Sequence, residues 1–268
     1  MEYLLSVETE QNAPRYHAQE GNLAALQELA SVDSKVLSQQ DDELFKNCLH
    51  HAAQTGQLRV VVYLLQQEVP VDARDINGNT CLHYAAHRGF LDIVKLLLTQ
   101  GAKIDSKNED HSSPIHLAAS GDQKSTIEHL LDNGASLTTE NSEGATPILI
   151  AAANGYSDLL TWMLNRIPIT EKSEVMKQCM LQAASNGHLS IVKMFLEKPN
   201  AEGSIRSTYD NGMNLLISAA ASDNTDLLEY LIGKGISIHA TAGDQEWNAL
   251  MMAAFHGAIE SAKYLIKK

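Results

Sequence analysis

The stretch NGNTCLHYAAHRGFLDIVKLLLTQGAKID, residues 77–105, decides the fold of this chain of 268 residues. Its first half, CLHYAAHR, brings two alanines close to a glycine and predicts a short helix that ends at Gly89. In the second half, the run DIVKLLL at 92–98 has apolar residues spaced i, i+1, i+4 and i+5, which is one face of a helix. The unit is therefore a short helix, a turn, a longer helix and an extended connector.

The same unit recurs along the chain at intervals close to 33 residues. Pairs of alanines mark seven copies, and His17-Ala18 marks a degenerate first copy. The alanine pairs lie at 52–53, 85–86, 118–119, 151–152, 183–184, 219–220 and 253–254. Because one copy alone cannot bury both of its apolar faces, the copies must stack and share a continuous core. The spacing predicts an all-α solenoid of about eight helix-turn-helix units.

We expect a single array over residues 1–268, with an N-terminal extension at 1–13. The predicted repeats lie near 14–46, 47–79, 80–112, 113–144, 145–177, 178–213, 214–247 and 248–268. Two places depart from the pattern. Residues 169–185 predict a helix lengthened at its start, and the junction 198–213 is stretched by three residues. Asp122 and Asp223 stand where other copies have glycine.

Residues 77–105 resemble an ankyrin repeat almost position by position, and SPIHLAA at 113–119 and ATPILIAAANG at 145–155 resemble the same signature. The resemblance covers roughly residues 14–268. It implies that a short hairpin-like finger projects from each helix pair, and that fingers and first helices form a concave groove that binds other proteins. No catalytic activity defines this family.

The resemblance implies partner-binding positions on the fingers and on the exposed side of the first helices. At those positions this sequence has Arg74, Ile76, Asn77, Asn79, His87, Arg88, Lys107, Glu109, Asp110, His111, Glu140, Glu143, Asn154, Met213, Trp247, Phe255 and His256.

Two groups among these residues have alternative interpretations. Arg74, Arg88 and Lys107, with a neighbouring histidine, make a basic spot that pairs either with carboxylates of a partner or with the acidic residues at 109–110. Trp247 and Phe255 either anchor an interface, as exposed aromatic residues do, or pack on each other.

The recurring histidines and the cysteines favour structural roles. His50, His83 and His116 lie one repeat apart, and stacked helices are roughly 8–10 Å apart, too far for one metal ion with ligands at about 2.0–2.1 Å. In the family this histidine hydrogen-bonds backbone across the finger. Cys48 and Cys81 are expected to be small buried residues. We therefore expect no metal and no cofactor.

The methionines fall within the helical pattern, and we expect them to fill the core. They include Met163, Met180, Met194, Met251 and Met252.

The charge of the chain limits its partners. Its formal net charge is −13, from 20 basic and 33 acidic residues, and no basic stripe is present. Such a surface repels nucleic acid and anionic membranes at long range. The excess acid either keeps a long array soluble or steers a basic partner.

The composition also bears on localisation. No apolar run approaches the roughly 18 residues that span a bilayer, and the first residues lack the basic start of a secretory signal. Three widely separated cysteines fit a reducing compartment. We expect a cytoplasmic, monomeric protein without membrane insertion.

These observations favour a non-enzymatic interaction module, an adaptor or scaffold that binds a protein or peptide in its groove. The alternative is the targeting region of a longer enzyme, or of a bacterial effector that acts in the host cytosol, because the array ends at Lys268 without a polar capping repeat. A natural end with a frayed last helix is the other interpretation of that terminus. Catalysis within the array would require a deep pocket that gathers histidine and acidic groups at 169–185 or 198–213.

Overall fold

The computed structural model of the chain describes residues 13–41, 43–197 and 212–268, without the side chains of 169–173. Contacts divide the chain into two units, residues 1–147 and 148–268. The N-terminal extension before residue 13 and most of the stretched junction 198–213 lie outside the described residues. The repeat boundaries stay a prediction.

The first unit is built from helix pairs joined by tight turns. Its helices are α1 Pro14–Glu20, α2 Leu23–Val32, a 3₁₀ turn Ser34–Leu37, α3 Cys48–Thr55, α4 Leu58–Gln66, α5 Cys81–Arg88, α6 Leu91–Thr99, α7 Pro114–Ser120 and α8 Lys124–Asp132. First helices pack on first helices and second helices on second helices, α3 on α5 on α7 and α4 on α6 on α8. The all-α repeat fold that the alanine spacing predicts is confirmed.

The second unit repeats this arrangement with local changes. Its elements are α9 Pro147–Ala153, α10 Ser157–Leu164, α11 Ile169–Ser185, α12 Leu189–Leu196, α13 Leu215–Ala219, a 3₁₀ turn Ala220–Ser222, α14 Thr225–Gly233, β1 Thr241–Ala242, β2 Trp247–Asn248, α15 Ala249–Phe255 and α16 Ile259–Ile266. The long first helix predicted at 169–185 is present as α11. Strands β1 and β2 pair antiparallel, Ala242 opposite Trp247, and form the finger before α15.

The core of each unit is the seam between neighbouring helix pairs. Ala85 and Ala86 are fully buried, and their small side chains allow first helices to approach closely. Leu82, Ile93 and Leu97 are also almost completely buried. Each large apolar side chain buried in this way contributes about 1.5–3 kcal/mol relative to an exposed one.

The turn between the two helices of a repeat requires a left-handed residue. Gly89 has φ +74°, as the sequence predicts. Asp122 and Asp223 have φ +58° and +56° at the equivalent positions. Aspartate tolerates this conformation better than most side chains do, which explains why the pattern survives these two substitutions.

One prediction about the core is wrong. Met163 and Met180 are buried, but the side chain of Met251 is half exposed. Its position in α15 is equivalent to that of His83 in α5, which is buried and bonded to the following finger.

We predict that Gly121→Ala destabilises the first unit. A Cβ at Gly121 would lie 2.0 Å from the carbonyl oxygen of His87, so the backbone of α5 or α7 must move. Overpacking of this kind costs about 1–3 kcal/mol, measured as the free energy of unfolding in urea. The exposed finger residue Ser142, changed to alanine, is the control and should be neutral; an equally neutral Gly121→Ala would contradict the close approach of the two helices.

Candidate protein-binding surface

A buried histidine joins each of three first helices to the finger that follows it. In α5, the backbone N–H of Thr80 donates to Nδ1 of His83 at 3.1 Å, and Nε2–H of the same ring donates to the carbonyl of Ser112 at 3.1 Å. The imidazole is 1% exposed. Burial lowers the pKa of His83 to about 4, since the charged ring would lose its hydration.

Similar contacts recur one repeat earlier and one repeat later. Nε2 of His50 donates to the carbonyl of Asn79 at 3.3 Å, which is the equivalent of Ser112, and to that of Ala73 at 3.0 Å. Nε2 of His116 donates to the carbonyl of Thr139 at 2.9 Å, just before the next finger. Burial lowers the pKa of both rings. The structural role expected for these histidines is confirmed, because each ring satisfies backbone groups on both sides.

Each finger turn is closed by a side chain of its own. Oδ1 of Asp75 accepts from the backbone N–H groups of Asn77 and Asn79, at 3.0 and 2.8 Å. Asn108 and Asn141 hold the next two turns through their side-chain oxygens in the same manner. The turns therefore keep their shape without help from a ligand.

Backbone hydrogen bonds connect one finger to the next. The N–H of Ile76 donates to the carbonyl of Leu44, that of Glu109 to Asn77, and that of Ser142 to Asp110. All three bonds are 2.9 Å long. We call this series the finger ladder. It fixes the spacing of the side chains at the finger tips.

Most of the predicted binding residues in the first unit lie on this ladder and are exposed. The exposed ones are Arg74, Ile76, Asn77, Arg88, Lys107, Glu109, Asp110, His111, Glu140 and Glu143. Asn79 and His87 are half-buried. His87 contacts the next first helix, since its Nδ1 lies 3.2 Å from the carbonyl oxygen of Leu117.

The two cations on the fingers contact backbone rather than the acidic residues beside them. Arg74 donates to the carbonyl of Lys107 at 2.5 Å, and Nζ of Lys107 donates to that of Glu140 at 3.3 Å. Within the described ranges, no ion pair joins these cations to Glu109 or Asp110. Arg74 and Lys107 of the predicted basic spot therefore link neighbouring fingers, whereas Arg88 is its exposed cation on a first helix.

The second unit presents a smaller group of the predicted residues. The rings of Trp247 and Phe255 meet edge to face with centroids 5.3 Å apart, and His256 stacks against Phe255 in the same way. Phe255 nevertheless stays 71% exposed. Met213 is half-buried, and Asn154 is exposed at the end of α9. The aromatic residues thus pack on each other and still offer a surface.

The three cysteines are buried in the core and are not reactive thiols. Cys48, Cys81 and Cys179 are buried and unpaired. Burial raises the pKa of each thiol to about 12. A protonated, enclosed thiol is a poor nucleophile and a poor metal ligand.

Sequence reasoning missed two exposed residues of the first finger, Leu44 and Phe45. They are 42% and 47% exposed. The finger DELFKN at 42–47 has phenylalanine where the finger DINGNT at 75–80 has Gly78, so the usual turn signature is absent. Aligning this hexapeptide on the finger after it would have found them.

These features define a class of protein: an all-α helical repeat protein that displays side chains on fixed fingers. A family model of ankyrin repeats matches residues 15–108, 100–173 and 180–268, so the chain belongs to the ankyrin-repeat family. Ankyrin repeats are in general protein–protein interaction modules, and the family is typically non-catalytic. A comparison with the curated proteins gives no match.

We predict that the wild-type protein loses stability in mild acid through His83. Its folded-state pKa of about 4 lies below the ordinary 6.5, so protonation favours the unfolded chain. Stability that is complete above pH 6.5 is lost as the pH falls to 4, by about 3 kcal/mol at most. Urea unfolding at pH 7 and pH 4.5 should show a steeper loss for wild type than for His83→Gln. Equal losses in the two proteins would contradict this assignment.

Proposed function

We propose that this protein is a non-enzymatic protein-interaction module, which binds another protein or a peptide on the surface formed by its fingers and first helices. The finger ladder carries this proposal. Because backbone hydrogen bonds join the fingers within the protein, the positions from which the outward side chains project are fixed before a partner arrives. A preordered surface of this kind loses little conformational entropy on binding.

The side chains that titrate abnormally support a structural rather than a catalytic interpretation. The low pKa of His83 follows from its burial between two elements, and the cysteines are enclosed and protonated. The described part of the chain contains no group of three His, Cys, Asp or Glu residues suited to a metal ion. Its buried, protonated thiols are not activated nucleophiles.

The charge supports a protein partner over a nucleic acid. The net charge of −13 opposes the approach of a polyanion. No helix in the described residues is both long and apolar enough to cross a membrane. We propose a cytoplasmic adaptor or scaffold that acts as a monomer.

Binding energy at such surfaces is concentrated in a few residues, enriched in Trp, Tyr and Arg. Arg88 is the exposed cation of α5, and Trp247 carries the aromatic group of the last finger. We propose these two as anchors of separate contacts, one in each unit.

We predict that Arg88→Ala and Trp247→Ala each weaken partner binding by about tenfold, which is about 1.4 kcal/mol. Ligands selected from a peptide display library against the whole chain supply the probe, and isothermal titration calorimetry measures the affinity. Helical content, followed by circular dichroism, should not change.

The controls lie on the second helices that follow Arg88 and Trp247 along the chain. Lys95→Ala in α6 removes an exposed cation, as Arg88→Ala does. Ile259→Ala in α16 removes an exposed apolar group and is the control for Trp247→Ala. Both should bind as wild type. Unaltered affinity in Arg88→Ala and in Trp247→Ala would remove this assignment of the surface.

A further inference from the structure

The ends of the first two fingers carry an apolar cluster that no other part of the described chain covers. Leu44, Phe45 and Ile76 are 42%, 47% and 50% exposed. The two fingers are joined directly, since the N–H of Ile76 donates to the carbonyl of Leu44. We call these three residues the tip patch.

Hydrogen bonds from the two residues before the first finger, Gln40 and Asp41, hold the backbone of the tip patch in place. Oδ1 of Asp41 accepts from the N–H of Leu44 at 2.6 Å, and the N–H of Asp41 donates to the carbonyl of Lys46 at 2.8 Å. The side-chain amide of Gln40 donates to the carbonyl oxygens of Phe45 and Arg74, at 2.6 and 2.8 Å. The exposed ring of Phe45 therefore projects from a turn whose backbone is fixed by hydrogen bonds.

Phe45 occupies a position at which a large side chain is unfavourable. Its φ is +53°. Gly78 at +73° and Gly144 at +71° hold the equivalent turn position in two other fingers, and His111 at +55° and Glu246 at +51° hold it in two more. Glycine adopts this conformation freely, whereas a bulky residue strains the backbone there. The ring gains little from packing in compensation, since it stays half exposed. Strain kept at an exposed residue points to a role in recognition.

The fingers beyond the tip patch are acidic. Residues 107–112 and 140–145 contain Glu109, Asp110, Glu140 and Glu143, all exposed, against the single cation Lys107. Among the described residues none of these carboxylates forms an ion pair. The nearby cation, Arg74, donates its hydrogen bond to backbone. An incoming positive charge would therefore find these carboxylates available.

The spacing of the fingers sets the spacing of the ligand. Successive repeats are roughly 10 Å apart, and an extended chain advances about 3.3–3.6 Å per residue. One finger therefore corresponds to about three ligand residues. From Ile76, Asp110 is one finger away and Glu143 is two.

We propose that the partner is an extended peptide segment with one apolar anchor on the tip patch and basic residues about three and six positions from it, facing Asp110 and Glu143. This inference rests on the proposed function and names the class of its ligand. The apolar anchor supplies affinity, and the basic residues supply register and direction.

Synthetic peptides labelled with fluorescein test this directly by fluorescence anisotropy on the whole chain. One probe has phenylalanine followed by lysine at the third and sixth positions, and a second probe has the reverse order. Matched peptides replace the lysines with glutamate or the phenylalanine with alanine. We expect one of the two lysine probes to bind at least tenfold more tightly than both of its matched peptides, and more weakly as salt rises.

Phe45→Gly is the decisive protein variant. Glycine relieves the strained backbone, so the variant should melt at the same temperature as wild type or higher, yet bind the lysine probe at least tenfold more weakly. The double variant Asp110→Asn, Glu143→Gln should lose affinity several-fold and lose most of the salt dependence. Asp132→Asn, an exposed acid at the end of α8, is the control and should bind as wild type.

Equal binding of the lysine and glutamate probes, or wild-type binding by Phe45→Gly, would overturn this inference. Display-selected ligands that depend on Arg88 or Trp247 but not on Phe45 would overturn it and leave the proposed function standing. If no selected ligand responds to Phe45→Gly, Arg88→Ala or Trp247→Ala, both proposals fail.

Discussion

The first unit depends on a hydrogen bond that crosses from one layer to the next. The buried ring of His83 accepts from the start of its own helix and donates to the carbonyl of Ser112 on the following finger. His50 and His116 make comparable connections in the layers on either side, to the carbonyls of Asn79 and Thr139. Since a buried carbonyl without a partner is costly, each layer needs its neighbour, and the fingers are rigid only because the layers are joined.

This arrangement separates stability from recognition. Alanines, leucines and imidazoles face the neighbouring layers and are buried, whereas the finger tips contribute little to packing. The tips can therefore carry unfavourable features, such as the left-handed Phe45 or the exposed carboxylates of Asp110 and Glu143, without unfolding the array. Surface substitutions away from packed features usually change stability by no more than about 0.5 kcal/mol. Substitutions at the finger tips can therefore change the affinity for a partner without changing the stability of the helical scaffold.

Much of the fold could be predicted because it follows from local spacing. The alanine pairs predict the helix pairs. Their spacing also predicts that Asp122 and Asp223 take the turn position of glycine, and both residues have the left-handed backbone conformation. Contacts between distant residues were harder to foresee. The sequence does not reveal that Arg74 reaches the backbone of Lys107, because a long side chain has many rotamers and its choice depends on the next finger. The exposure of Phe45 was hidden because its finger lacks the glycine of the finger after it, Gly78.

Amide hydrogen exchange measured by NMR tests the central claim most directly. If the layers are joined as described, the amides of Ile76, Glu109 and Ser142 exchange slowly, through cooperative opening of the unit, although they lie in surface fingers. Removal of the imidazole of His83 should then speed exchange at Glu109 more than at Ile76. Fast exchange of all three amides in the wild-type protein, as in an ordinary surface loop, would contradict the account.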